Sequence, residues 1–238
     1  MIRSYAQGSL AEAFELFFSY LSFTETVQIY VGKKRKCWTL NKELICDVSE
    51  YFRAAFKGDF AESNGVLNLE EEDPEIFAHL VNWMYSPYQI LMDNTLFRRE
   101  AKDDLVFIKL YVLADRFFLQ DLKSAVIEYL QEFLGRGGTD DEPRICDVQY
   151  IYTHTINSNH PLRKYVVKAT LVSLFDPWYP EPDEPEDRDE VRERPSFVDL
   201  TKCNAEFSHE VLVAIQKHLL ENAGVCKRLQ KSYLGINI

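Results

Sequence analysis

The stretch that decides the fold is EYFRAAFKGDFAES, residues 50–63. Phe52, Phe56 and Phe60 recur at every fourth residue, a spacing that places side chains along one face of a helix. A Gly-Asp pair interrupts this helix before the third aromatic residue, because both residue types favour turns. We therefore expect Phe52 and Phe56 to pack in the core of a domain. Phe60 is expected to lie in a turn rather than to line a ligand pocket.

Strands on both sides of this stretch are predicted to form a small sheet. Residues 27–32 (VQIYVG) alternate apolar and polar side chains, which is typical of a half-buried strand. A basic run, KKRK at 33–36, is interpreted as a solvated turn rather than a nuclear localisation signal. The chain then returns as a second strand at 37–40, which gives an antiparallel hairpin. GVLNLE at 65–70 is the third strand, with Val66 and one of its two leucines turned inward.

Helices are predicted for most of the other residues before position 135. Residues 41–57 read as two short helices, and the side chain of Ser49 caps the second. The Asp-Pro pair at 73–74 begins the next helix, since Asp favours the cap and Pro the first helical position. Two longer helices follow, one at about 104–117 and one that ends at Gly135 as its C-cap.

The segment GRGGTDDEP, residues 135–143, divides the chain because such a composition is typical of linkers. Helical patterns follow at 146–155, 163–175 and 208–222. The segment between the last two is rich in proline and acid, which predicts a disordered or irregular surface loop. The predicted organisation is an N-terminal amphipathic helix (1–24), a domain (25–134), a linker (135–144) and a helical C-terminal region (145–238) with an acidic Pro-rich loop at 176–195.

Five segments of the first domain, taken in order, resemble the BTB/POZ family. They are VQIYVG, WTLNKELI, SEYFRAAFKGDFAES, VLNLEEEDPEIFAHLVNWMYS and LYVLADRFFLQDLKSAVIEYL, which together extend over roughly residues 25–134. The resemblance implies an α+β fold in which a small three-stranded sheet is flanked by helices. Residues 145–175 are similar to the helical tail of compact BTB proteins that are common in filamentous fungi. Resemblance of this kind predicts a fold more firmly than a function.

One departure from the family pattern concerns the groove of the dimer. Many members carry an Asp ahead of the first strand and a His at the start of the first helix, where this chain has Thr26 and Asn41. In transcription-factor members that charged pair lines the dimer groove. The resemblance therefore does not favour corepressor recruitment of that type.

A second departure concerns cullins. Cullin-binding members often carry a hydrophobic-x-Glu motif in the loop after the helix that ends in Tyr. Between Ser86 and Asp104 the only Glu is Glu100, with Arg98 two positions before it, which counts against a cullin contact. The residues that would form a cullin face are Tyr85, Tyr88, Leu91 and Met92.

The composition limits the remaining functions. A formal net charge of −11, from 27 basic and 38 acidic residues, disfavours a nucleic-acid partner. His and Cys lack the spacing of a metal site, and no nucleophile elbow or phosphate-binding glycine loop occurs, so we expect no enzyme activity, cofactor or metal. The five cysteines form no C-x-x-C pair and indicate reduced thiols. No apolar run is long enough to span a membrane, which predicts a cytoplasmic or nuclear protein.

The N-terminal segment carries an apolar stripe at helical spacing. Its residues are Leu10, Phe14, Phe17, Phe18 and Leu21. If this stripe is buried against a second copy of the chain, it supports a homodimer. If it is buried against the chain's own core, it completes the fold. Both interpretations remain open, although the equivalent helix of the family often takes part in dimerisation.

The sequence therefore predicts a non-enzymatic protein–protein interaction module that acts by BTB-mediated self-association and partner recruitment. The alternative is a substrate adaptor of a cullin-based ubiquitin ligase. In that alternative a face near Tyr85–Met92 binds the cullin and the C-terminal helices hold a substrate.

Overall fold

The computed structural model describes residues 19, 22, 24–85, 104–134, 143–175 and 196–221. The chain divides into two compact units, Met1–Tyr129 and Leu130–Ile238. Most of the predicted N-terminal helix, linker and acidic loop fall outside the described residues, and these three features stay predictions.

The described part of the first unit contains a small sheet and several helices. The strands are β1 (Thr26–Val31), β2 (Lys36–Asn41) and β3 (Val66–Leu69). The helices are α1 (Lys42–Val48), α2 (Glu50–Lys57), a short 3-10 helix (Ala61–Asn64), α3 (Pro74–Tyr85), α4 (Asp104–Arg116) and α5 (Gln120–Phe133), whose last residues belong to the second unit. The predicted α+β fold with a three-stranded sheet flanked by helices is confirmed.

Strand β1 lies in the centre of this sheet, between β2 and β3. It runs antiparallel to β2, where Ile29 pairs with Trp38, and parallel to β3, where Ile29 pairs with Leu67. The predicted alternation of β1 is confirmed, because its three aliphatic side chains are buried. All four side chains of the basic run at 33–36 are exposed, which agrees with its interpretation as a solvated turn.

The prediction for the third strand was partly wrong. Leu67 and Leu69 are both buried, whereas Val66 is only half-buried. Successive side chains of a strand point to opposite faces, so Val66 cannot share a face with either leucine. The core takes the two leucines because together they bury more apolar surface than Val66 could.

The caps predicted at Ser49 and Asp73 are present, whereas the predicted C-cap Gly135 lies outside the described residues. The Ser49 hydroxyl accepts a hydrogen bond from the Phe52 backbone N–H at 3.2 Å and donates one to the Phe117 carbonyl at 2.8 Å. Ser49 is fully buried, so this side chain also ties the start of α2 to the end of α4. At the start of α3, the Asp73 carboxylate accepts from the Glu75 backbone N–H at 2.9 Å.

The two phenylalanines of the opening stretch lie in the core, as predicted. Phe52 is 0% exposed and Phe56 1% exposed, and their rings stack with centroids 6.2 Å apart. The ring of Phe117 packs against Phe52 at 5.1 Å. Helix α2 ends at Gly58, where a Cβ atom would come within 2.4 Å of the Ala54 carbonyl oxygen. Any larger residue there would displace the end of the helix.

The described part of the second unit is helical. Its helices are α6 (Ile145–His154), α7 (Pro161–Phe175), α8 (Phe197–Cys203) and α9 (Ala205–Glu221). The three predicted helical patterns are confirmed, whereas α8 was not predicted. Fully buried side chains of α6, α7 and α9 form its core: Val148, Ile151, Leu162, Val166, Phe207 and Val211. Among the helices described, none combines the length and apolar character that crossing a membrane requires.

Candidate interaction surface

Phe60 is an exposed aromatic residue on an ordered turn of the first unit. Its side chain is 61% exposed, although it directly precedes the 3-10 helix. Backbone hydrogen bonds close the turn from Ser63 N–H to the Phe60 carbonyl at 3.1 Å and from Gly65 N–H to the Glu62 carbonyl at 2.8 Å. Gly65 adopts φ +89°, a left-handed conformation that glycine tolerates without strain. The sequence prediction that Phe60 lies in a turn is confirmed.

Phe118 is a second exposed aromatic residue, at the junction of α4 and α5. It is 65% exposed, whereas its neighbours Phe117 and Leu119 are buried. Its φ is +55°, and the Leu119 N–H reaches back to the Ala114 carbonyl at 2.8 Å, as in a Schellman cap. Glycine is usual at such a position because a bulky residue with positive φ is strained. Phe118 adopts this strained conformation although its aromatic ring is exposed to solvent.

Tyr51 connects the surroundings of the two exposed phenylalanines. Its ring lies 4.8 Å from that of Phe117, the neighbour of Phe118. Burial raises the pKa of Tyr51, and the nearby carboxylates of Glu62 and Glu72 raise it further. Glu72 also forms an ion pair with Arg116, the last residue of α4. Tyr51 therefore packs against the residue before Phe118, and Glu62 in the turn that carries Phe60 acts on it electrostatically.

Phe60, Ala61 and Glu62 form a hydrophobic-x-Glu triplet that was not predicted. The motif was expected only in the loop after the Tyr-ended helix, which lacks it. The exposed fraction of Phe60 could not be read from the sequence, since the ladder spacing equally suits a buried residue. The Gly-Asp break before Phe60 was the signal that could have pointed to an exposed motif.

Of the residues predicted to bind partners, Tyr85 alone lies within the described part of the chain. Tyr85 is half-buried, and its hydroxyl accepts a hydrogen bond from the Asn41 backbone N–H at 2.7 Å. Burial raises the pKa of this phenol, and its hydrogen bond supports the residue that precedes α1. Outside the described residues lie the other cullin-face candidates, Tyr88, Leu91 and Met92, and the dimer candidates Leu10, Phe14, Phe17, Phe18 and Leu21. Their roles stay predictions.

The second unit is organised around a buried arginine. Arg163 is 3% exposed, and its guanidinium donates to the carboxylates of Glu206 at 2.7 Å and Glu210 at 3.2 Å. It also donates to the hydroxyl and the carbonyl of Thr155, which follows α6. The Tyr152 hydroxyl donates to Glu210 at 2.6 Å. These contacts join α6, α7 and α9 through a single charged side chain.

Tyr152 is held in its protonated form by this arrangement. Burial raises the pKa of its phenol, and the hydrogen bond to the Glu210 carboxylate raises it further, because ionisation would place two negative charges together. The ring also lies 4.2 Å from the Arg163 guanidinium carbon, in a cation–π contact. Tyr152 therefore acts here as a permanent donor.

A groove of about 730 Å³ lies beside Arg163 in the second unit. Its lining mixes apolar and charged side chains, which include Ile156, Lys164, Val167, Glu206, His209 and Val213. Arg163 and Glu206 are paired with each other, so the groove offers a ligand the exposed amine of Lys164 and the apolar side chains. Among the described residues, no group of three or more His, Cys, Asp and Glu side chains could hold a metal ion.

Comparison with known proteins gives one family. The model of the BTB/POZ domain matches residues 18–134. The solved BTB domain of human gigaxonin is similar at 16% identity, with a TM-score of 0.39, over 51% of this chain and 93% of that chain. At this score the structural likeness adds no argument. No curated protein gives a significant match.

The family assignment covers residues 18–134 and rests on two observations. The family model spans the segment that contains all three strands, and the strands form the small sheet flanked by helices that the resemblance implied. Helices α6 to α9 lie beyond the matched residues, and their likeness to compact fungal members stays a prediction. Residues 18–134 of this chain are a BTB/POZ domain.

Proposed function

We propose that this protein is a non-enzymatic interaction module of the cytoplasm or nucleus, which self-associates through its BTB/POZ domain and recruits a partner protein. BTB/POZ domains are in general protein–protein interaction modules, and the domain is the observation that carries the proposal. The described surface adds a physical reason for partner binding. Its first unit exposes two large aromatic side chains, Phe60 and Phe118.

Exposed aromatic residues stabilise a complex when a partner covers them. Burial of a phenylalanine side chain contributes roughly 1.5–3 kcal/mol relative to exposure. Aromatic anchors of this kind supply much of the binding energy at interfaces. The strain at Phe118 strengthens the argument, since backbone strain of this type is concentrated at functional positions.

Self-association is tested by light scattering of the full chain at micromolar concentration. We expect a mass twice that of the 27.8 kDa monomer. A double substitution, Phe14→Glu with Phe18→Glu, decides the role of the N-terminal stripe, because it yields a monomer only if the stripe lies across the dimer. Glu15→Gln is the control in the same segment. A monomeric mass over the whole concentration range would remove the proposal of self-association.

The second candidate, a substrate adaptor of a cullin-based ubiquitin ligase, is favoured by one observation. The triplet Phe60-Ala61-Glu62 provides an exposed hydrophobic residue two positions before a Glu. Cullin-binding members of the family often carry a motif of this composition. The loop after α3 lacks a hydrophobic-x-Glu motif, which counts against a cullin contact. The triplet offsets this argument because it supplies such a motif elsewhere in the domain.

A pull-down with the cullin of the same organism tests this candidate. We expect Phe60→Ala to weaken the interaction by about 30-fold, because loss of an aromatic anchor costs about 2 kcal/mol. Val198→Ala is the control, since it truncates an exposed apolar residue of the second unit that belongs to neither proposed interface. If the unaltered protein fails to enrich the cullin, the adaptor candidate is wrong, and self-association is unaffected.

A further inference from the structure

Helix α9 is apolar on two opposite faces. One face buries Phe207 and Val211 in the core of the second unit, where the Phe207 ring packs 5.7 Å from that of Tyr152. The other face leaves four aliphatic side chains in solvent: Leu212 (60% exposed), Val213 (51%), Leu219 (47%) and Leu220 (69%). An apolar face of a helix is normally covered by a packing partner. These four residues are called the α9 stripe below.

The stripe has the composition of an interface core. At about 100° per residue its four side chains cover about 120° of the helix surface, with Gln216 at the middle. The charged residues of α9 all lie beyond one edge of the stripe: Glu206, Glu210, Lys217 and Glu221. An apolar centre with charged residues confined to the edge is characteristic of protein interfaces.

The order of residues along the stripe is symmetric. Leu212 and Val213 precede Gln216 by four and three positions, and Leu219 and Leu220 follow it by three and four. A two-fold axis at Gln216 would therefore place every aliphatic side chain of one helix against an aliphatic side chain of an antiparallel copy. Interfaces between two identical chains require this self-complementarity, and a partner with another sequence does not.

We propose that the α9 stripe pairs antiparallel with the α9 stripe of a second copy of this chain. The inference rests on the proposed self-association. From Leu212 to Leu220 the stripe is only about 12 Å long, so it buries far less than the roughly 800 Å² per partner of a stable interface. The pair therefore forms within a dimer that the BTB/POZ domain already holds together, where the effective concentration of the second helix is high.

A cysteine at the symmetry axis tests the pairing. With helix axes about 10 Å apart and Cα atoms on a radius of about 2.3 Å, two facing Cα atoms lie about 5 Å apart. A disulfide spans this distance. We expect Gln216→Cys to give a covalent dimer of the full chain under mild oxidation. The unaltered chain, with its own five cysteines, sets the background.

The control is Glu221→Cys, on the same helix but away from the stripe and 62% exposed. In the antiparallel pair its two copies lie about 15 Å apart along the helix, so we expect at least ten times less cross-linked dimer. Adding Leu212→Glu to Gln216→Cys should reduce the cross-link to the control level. Because the side chains of Leu212 and Gln216 are both exposed, these substitutions are not expected to change the fold.

Light scattering of the Gln216→Cys variant under reducing conditions separates the pairing of α9 from the proposed self-association. If the variant is a dimer when reduced but gives no cross-link above the control when oxidised, the pairing of α9 is overturned. The stripe then has another occupant, and self-association is unaffected. A monomer without a cross-link would overturn both. A cross-link that Leu212→Glu removes supports the pairing.

Discussion

Replacing Phe52 with alanine is expected to lower the free energy of unfolding of the first unit by about 3–5 kcal/mol, the range for loss of a buried phenylalanine. Phe52 is fully buried, and three aromatic rings surround it. Their centroids lie at 5.1 Å for Phe117, 5.5 Å for Tyr51 and 6.2 Å for Phe56. Truncation would leave a cavity between α2 and α4 that these rigid rings cannot fill.

Urea unfolding followed by tryptophan fluorescence measures this loss. Trp38 reports on the first unit, because its ring packs 5.1 Å from that of Phe77 in α3. Phe60→Ala is the matched control, since the same substitution at a residue that is 61% exposed should change stability by less than about 0.5 kcal/mol. Equal losses for the two variants would show that Phe52 does not pack in the core as described.

Replacing Arg163 with alanine is expected to destabilise the second unit by about 3–5 kcal/mol, the typical cost of removing one partner of a buried ion pair. The pair with Glu210 dominates this effect, because the Glu210 side chain is 18% exposed and that of Glu206 is 68% exposed. Solvent screens the contact with Glu206, so it contributes little. Thr155 and Tyr152 would also lose the cation that they contact.

Hydrogen exchange of the backbone amides of α6 and α7 provides the measurement for Arg163→Ala. We expect protection of both helices to fall together, because Arg163 is a hydrogen-bonded link between them. Lys164→Ala is the control, since this neighbouring side chain is exposed. A change confined to α7, or one no larger than for Lys164→Ala, would mean that Arg163 does not organise the second unit.

Much of the fold could be predicted because local chemistry and tertiary packing agree. In three places the structure that the local sequence favours is also the one that the core requires. These places are the alternation in β1, the Ser49 cap and the spacing of Phe52 and Phe56. Val66 was misplaced because a four-residue strand of mostly apolar residues gives little alternation to fix its inward face. Helix α8 was missed because it is only seven residues long and follows directly on a Pro-rich segment.

The candidate surfaces were harder to predict, since exposure depends on the folded surroundings. Phe117 and Phe118 are adjacent and chemically identical, yet only the left-handed conformation at Phe118 decides which ring is buried. Arg163 meets Glu206 and Glu210 only after three helices pack, and their separation in sequence gives no signal of the contact. The α9 stripe carries the same residue types as a core helix, so only the packed structure reveals that it is uncovered.

The central position of β1 has a consequence for the rate at which the sheet assembles. Its antiparallel neighbour follows a short turn, and hairpins of this kind form within about 1–10 μs. Its parallel neighbour arrives only after α1, α2 and the 3-10 helix, so a long loop must close first. We therefore expect β1 and β2 to associate early and β3 to dock late, once Phe52 and Phe56 have drawn α2 against the growing core.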